Sequence, residues 1–198
     1  MKINLIIKKP NLWLATMMIL LIAATLYSQS GSGVKYFTRN ASASFFSEAP
    51  LEKIEASTNS ASSVIDMATG NVEVAVLIKS FNFKKALMQE HFNENYLESN
   101  KFPKAVFKGT MPEFKTINLT TDGKYTTLLK GAITIHGVTK PLETKVLIRS
   151  EGGKIFAETE FELIVADFNI SIPSVVRDNV AKMVMVKLKA EFTELKKT

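Results

Sequence analysis

The stretch "GAITIHGVTKPLETKV", Gly131 to Val146, sets a histidine, a glycine and a proline between two apolar runs. Before it, "YTTLLKGAITI" puts Tyr125, Leu129, Ile133 and Ile135 on one side. After it, "LETKVLI" puts Leu142, Val146 and Ile148 on one side, against Glu143 and Lys145. Alternation at period two marks strands. His136 ends the first strand, Gly137 permits a tight bend, and Pro141 enters the second strand near its edge. His136, Gly137, Thr139 and Pro141 therefore read as a structural hairpin motif. The imidazole is placed to tie loop carbonyls together rather than to react. Two long strands joined by so short a turn are antiparallel.

The same rhythm extends outward. In "NVEVAVLIK", Val72, Val74, Val76 and Ile78 share a face. In "KIFAETEFELIV", Ile155, Ala157, Phe161, Leu163 and Val165 oppose Lys154, Glu158, Glu160 and Glu162. In "VMVKLKAEF", Val184, Val186, Leu188, Ala190 and Phe192 oppose Lys187, Lys189 and Glu191. Shorter candidates are "SASFFS" (Ala43, Phe45), "KIEAST" (Ile54, Ala56) and "KAVFKGT" (Ala105, Phe107). "TDGK" at Asp122-Gly123 and "EGGK" at Gly152-Gly153 signal tight hairpins between neighbouring strands. One segment, "FKKALMQEHFNENYLESNKFP", lacks alternation and predicts one or two helical turns over an end of the sheet.

These eight or nine strands define an all-β chain with one apolar face to bury, in a sandwich or a closed barrel. Periodicity does not choose between them; the length of the later strands favours the barrel. An eight-stranded barrel is wide enough for a small ligand. Small inward residues (Ala43, Ala56, Ala105, Gly109, Gly131, Ala157, Ala190) would leave space inside. The candidate apolar tunnel is then Phe45, Val74, Val76, Ile78, Phe107, Leu129, Ile133, Val146, Phe161, Leu163, Val186 and Leu188.

Composition excludes several chemistries. The chain has 198 residues, no cysteine and two histidines, His91 and His136. Disulfide scaffolds, thiolate metal sites and cysteine nucleophiles are out. The histidines have no metal-ligand spacing, and no GxSxG, Walker or GxGxxG motif is present. No catalytic residue, metal or cofactor is expected. Glu158, Glu160 and Glu162 repeat on an outer strand face, as solvated surface does. The N-terminus differs from the rest: Lys2, Lys8 and Lys9 precede the uncharged stretch Leu12 to Leu26, whose length suits a signal peptide better than a membrane span. The expected organisation is a signal peptide over 1–28 and one domain over 29–198. Removing 1–28 lowers the net charge from +6 to +3, which gives no case for nucleic acid.

The opening stretch also resembles the best-marked motif of the YceI-like family, a strand of the form L-T-I-H-G-V-T-K-P. "NYLESNKFPKAVFKG", "GNVEVAVLIKSFNF", "FELIVADFNISIP" and "VMVKLKAEF" are similar to further segments of that family, over roughly Val34 to Phe192. The resemblance implies a lipocalin-like antiparallel barrel with a short helical insertion. It also implies a periplasmic or secreted protein of a Gram-negative bacterium, holding a polyisoprenoid lipid and no cofactor. No catalytic residue is carried over. Family members often have an Arg-Asp pair where this chain has "ALMQEH". Transient membrane contact fits such a carrier; the oligomeric state is open, a homodimer included. A ligand-free periplasmic stress or adaptor protein with a filled core is the alternative. An enzyme acting on an apolar substrate is a third, with only Tyr125, Thr127 and Thr159 as inward polar groups.

Overall fold

A computed structural model describes residues 34–174 and 179–195. The expected signal peptide and its cleavage point lie outside the described residues. Among the described residues, nine strands form one antiparallel sheet: β1 (Lys35–Glu48), β2 (Lys53–Asp66), β3 (Asn71–Leu77), β4 (Asn82–Phe83), β5 (Lys104–Thr110), β6 (Gly123–Ile135), β7 (Val138–Glu151), β8 (Lys154–Ile164) and β9 (Met183–Glu194). The order β1-β9-β8-β7-β6-β5-β3-β2 closes on itself because β1 also pairs with β2. The result is the expected lipocalin-like barrel of eight strands, with two-residue β4 added to β2 at Ala56 and Ser57. The helical insertion is also present, as α1 (Ala86–His91) followed by a π-helical turn, Phe92–Tyr96.

β1 and β2 are far longer than "SASFFS" and "KIEAST" suggest. Both carry bulges. The β1–β2 register shifts between Thr38 and Ala41 and again before Ala43. On β2 the buried positions run Ala56, Thr58, then Ala61, Ser63, Ile65. An extra residue flips the inward parity from even to odd, so a period-two pattern covers only part of each strand. The Thr58 hydroxyl accepts from the Ser60 amide at 3.1 Å, and Thr38 accepts from Asn40 at 3.3 Å, one at each bulge.

Three further expectations are corrected. Asp122-Gly123 is not a two-residue hairpin: β5 and β6 are joined through a long connection containing the 3₁₀ turn Phe114–Thr116, and Asp122 instead accepts from the Gly152 amide at 3.0 Å, bracing the β7–β8 turn. Ile78 leaves the strand and starts a 3₁₀ turn, Ile78–Ser80, though it stays buried. Gly109 and Gly131 do not leave empty space. They face each other across β5 and β6, and a Cβ on Gly109 would sit 2.5 Å from the Phe107 ring. The glycine pair makes room for that aromatic.

The barrel has two different ends. At one, Met111, Ile117 and their neighbours fill the interior, and Met111 is 1% exposed. At the other lie the β1–β2 turn, the insertion, the His136-Gly137 turn and the segment after β8. The outer face carries cross-strand ion pairs: Lys187–Glu160 at 2.8 Å, Lys154–Glu191 at 2.8 Å and Lys130–Glu143 at 3.0 Å. Glu160 thus lies on solvated surface, as its alternation predicts.

Candidate functional site

A cavity of about 420 Å³ occupies the barrel, within the range of about 300–1,000 Å³ usual for small-molecule sites. Its wall is overwhelmingly hydrocarbon. All twelve residues of the candidate tunnel are on that wall: Phe45 from β1; Val74 and Val76 from β3; Ile78 beyond it; Phe107 from β5; Leu129 and Ile133 from β6; Val146 from β7; Phe161 and Leu163 from β8; Val186 and Leu188 from β9. Met111, Ile148 and Phe192 make the floor. Ser47, Glu52, His91, Tyr96 and Asn179 supply polar groups where the wall reaches the loops.

Periodicity missed the aromatic cluster that closes one side. Phe45 stacks on Phe92 at 5.4 Å and meets Phe81 edge-on at 5.4 Å; Phe83 lies 5.0 Å from Phe92. Such pairs contribute about 0.5–1.5 kcal/mol each beyond area burial, and they fix the insertion onto β1 and β2. The available signal was three phenylalanines, Phe81, Phe83 and Phe92, inside a segment otherwise rich in Lys, Glu and Asn.

Of the three inward polar candidates, only Thr159 is on the wall. Tyr125 donates to the Asn118 carbonyl at 2.9 Å outside it, and Thr127 is buried elsewhere. Thr144, unforeseen, joins Thr159. The β7–β8 ladder starts at Glu151 and Lys154 and ends at Val146 and Thr159. Beyond that point two hydroxyls replace it: Thr159 donates to the Lys145 carbonyl at 2.8 Å, and Thr144 to the Glu160 carbonyl at 3.2 Å. Pro141 lies in this part of β7, paired with β6 opposite Ala132 but with no β8 partner, so its missing N–H costs no ladder bond.

The opening motif lies at the same end. His136 and Gly137, with φ of 51° and 76°, form the two-residue turn between β6 and β7, a geometry of the primed hairpin turns. A Cβ on Gly137 would meet Phe102 at 2.6 Å. Thr139 bonds Thr134 across the hairpin at 2.8 Å. The His136 ring is 11% exposed. Its Nδ1 lies 3.1 Å from the Phe168 carbonyl oxygen, and its Nε2 lies 2.8 Å from Glu98 Oε2. Both partners only accept, so the ring donates to both as imidazolium and to one as neutral imidazole. His91 is on the cavity rim. Among the described residues no cluster of His, Asp and Glu could hold a metal ion.

A family model of the YceI-like domain matches residues 36–192. The chain belongs to the YceI-like family. Its YceI-like barrel matches solved structures of low identity. A polyisoprenoid-binding domain from Saccharophagus degradans, implicated in plant cell wall breakdown, is 12% identical with a TM-score of 0.71, over 83% of this chain and 100% of that one. BcnA of Burkholderia cenocepacia is 16% identical with a TM-score of 0.64, over 77% and 96%. The YceI protein of Campylobacter jejuni is 18% identical with a TM-score of 0.50, over 72% and 85%. No curated protein sequence matches the chain.

Proposed function

We propose that this YceI-like barrel binds a long apolar lipid, a polyisoprenoid or isoprenoid quinone, and carries it through the periplasm without chemical change. The observation that supports this is the apolar cavity, walled by inward hydrocarbon side chains from all eight barrel strands. The Saccharophagus domain of the same fold binds polyisoprenoid. Each buried CH₂ contributes about 0.8 kcal/mol. About 20 buried carbons then supply roughly 16 kcal/mol, which exceeds the association cost of about 4–15 kcal/mol. The wall hydroxyls of Thr144 and Thr159 are engaged with backbone carbonyls, so they position the strands and leave the lipid a hydrocarbon surface. The "ALMQEH" stretch is α1, and its Met88 and His91 face the cavity rim; head-group preference is set there. Export by residues 1–28 would deliver the barrel to the periplasm.

The test is a pair of adjacent substitutions. Phe161 is on the cavity wall; Glu160 faces out and pairs with Lys187. Phe161→Asp places an unpaired carboxylate in hydrocarbon, which is strongly disfavoured. Folded Phe161→Asp protein, checked by circular dichroism, should lose the lipid that organic extraction and mass spectrometry find in the wild type. Glu160→Lys loses one exposed ion pair, worth about 0–1 kcal/mol, and should keep it. Wild-type protein from its native host that yields no lipid and binds no added polyprenol or quinone defeats the proposal.

A further inference from the structure

The barrel wall has a weak seam. β7 and β8 part company after Val146 and Thr159, and the 3₁₀ turn Val165–Phe168 with Asn169 and Ile170 lies across the gap. Val165, Phe168 and Ile170 form part of the cavity wall, and Phe168 is 3% exposed. This strip is therefore wall, yet it is not woven into the barrel by a ladder. Its start is held by the Val165 amide donating to the Lys182 carbonyl at 2.9 Å. Its far end is held by His136, through the Phe168 carbonyl. The other ring nitrogen holds Glu98, next to the buried wall residue Leu97 of the insertion. Among the described residues, no hydrogen bond or ion pair joins the insertion to the strip directly; the imidazole is the polar link.

The backbone marks the same place. Among the described residues, the three non-glycine residues of positive φ are Glu98 at 40°, His136 at 51° and Asn169 at 55°. Such conformations persist only where surrounding contacts over-determine them. All three converge on one ring: His136 itself, the residue whose carboxylate it meets, and the residue after the carbonyl it meets.

We propose that Val165–Ile170 is a side gate in the barrel wall, hinged at Val165 and latched by His136, and that lipid enters and leaves between β7 and β8 when the latch opens. The role in lipid exchange rests on the binding function proposed above. His136 is a positioning residue here; it is not itself on the cavity wall. A latch differs from a binding residue in its kinetics. Releasing it lowers the barrier in both directions, so association and dissociation quicken together and the equilibrium constant stays put.

The variant is His136→Asn, since asparagine tolerates positive φ and keeps the turn while removing the ring. The probe is geranylgeraniol tagged with nitrobenzoxadiazole, mixed by stopped flow and chased with phosphatidylcholine vesicles. Both rate constants should rise about tenfold, the scale of one lost hydrogen bond, with Kd and stoichiometry unchanged. Amide hydrogen exchange at Ala166–Ile170 should quicken by a similar factor while the β6–β7 ladder keeps its protection. Asp66→Asn, at the opposite end of the barrel, controls for general loss of stability and should leave both rates alone. A rise in dissociation alone, with weaker Kd, overturns the gate, as do unchanged rates with unchanged exchange. If the wild type binds no probe, the carrier function fails, and the exchange experiment decides the latch by itself.

Discussion

At Gly131 the chain has no spare room. A Cβ there would sit 2.5 Å from the Gly109 Cα and 2.8 Å from the Phe107 ring, and closer still to the Lys108 carbonyl. Backbone cannot step aside as a flexible side chain can. Gly131→Ala should therefore destabilise the barrel by about 1–3 kcal/mol, the range for overpacking, seen as a lower urea midpoint with unchanged slope. The same contacts show what a lone residue type hides in a sequence. A glycine at an inward strand position looks like a void; only the position of the neighbouring ring shows that Phe107 fills it. His136 was more legible, because a histidine and glycine between two alternating runs have few other uses. That its ring would meet Glu98, 38 residues away, was beyond any local pattern.

Among elements, the β2–β3 turn carries a charge with a consequence. Partial burial opposes ionisation of Asp66, but the Ala68 amide, the Lys35 ammonium and the Thr69 amide outweigh it and hold the carboxyl below its usual range. The ammonium lies 3.2 Å away. A depressed carboxyl stabilises the fold above its unfolded-state value, near pH 4, and that contribution is lost as pH falls through the folded value. Urea midpoints measured from neutral pH downward should show the loss in the wild type. Asp66→Asn should start lower at neutral pH and fall less steeply on acidification. The legibility of each element follows from its regularity. β6 to β9 keep one parity from end to end, so their faces were readable residue by residue. β1 and β2 change parity at bulges and turn Ala, Ser and Thr inward, so neither hydrophobicity nor period revealed their full length. β4 and the 3₁₀ strip after β8 are too short to carry any period, and their places are set by Phe45, Phe92 and His136 from elsewhere in the chain.

For the whole molecule, the closing contact is β1 with both β9 and β2. Strands from opposite ends of the domain meet, and each of the eight pairs with two neighbours, so the barrel is closed by the chain's own backbone ladders. Its filling is then an event of hydration, not of folding. Isothermal calorimetry of lipid-stripped protein with a polyprenol, repeated across temperatures, should give a negative heat-capacity change set by the apolar surface of the guest and the wall it covers. A homologous series of polyprenols should scale in step with chain length until the floor at Met111 and Phe192 is reached, then stop. A heat-capacity change several times larger would belong to a chain that orders itself around its cargo, and the closed β1–β2 ladder leaves little of this chain to order.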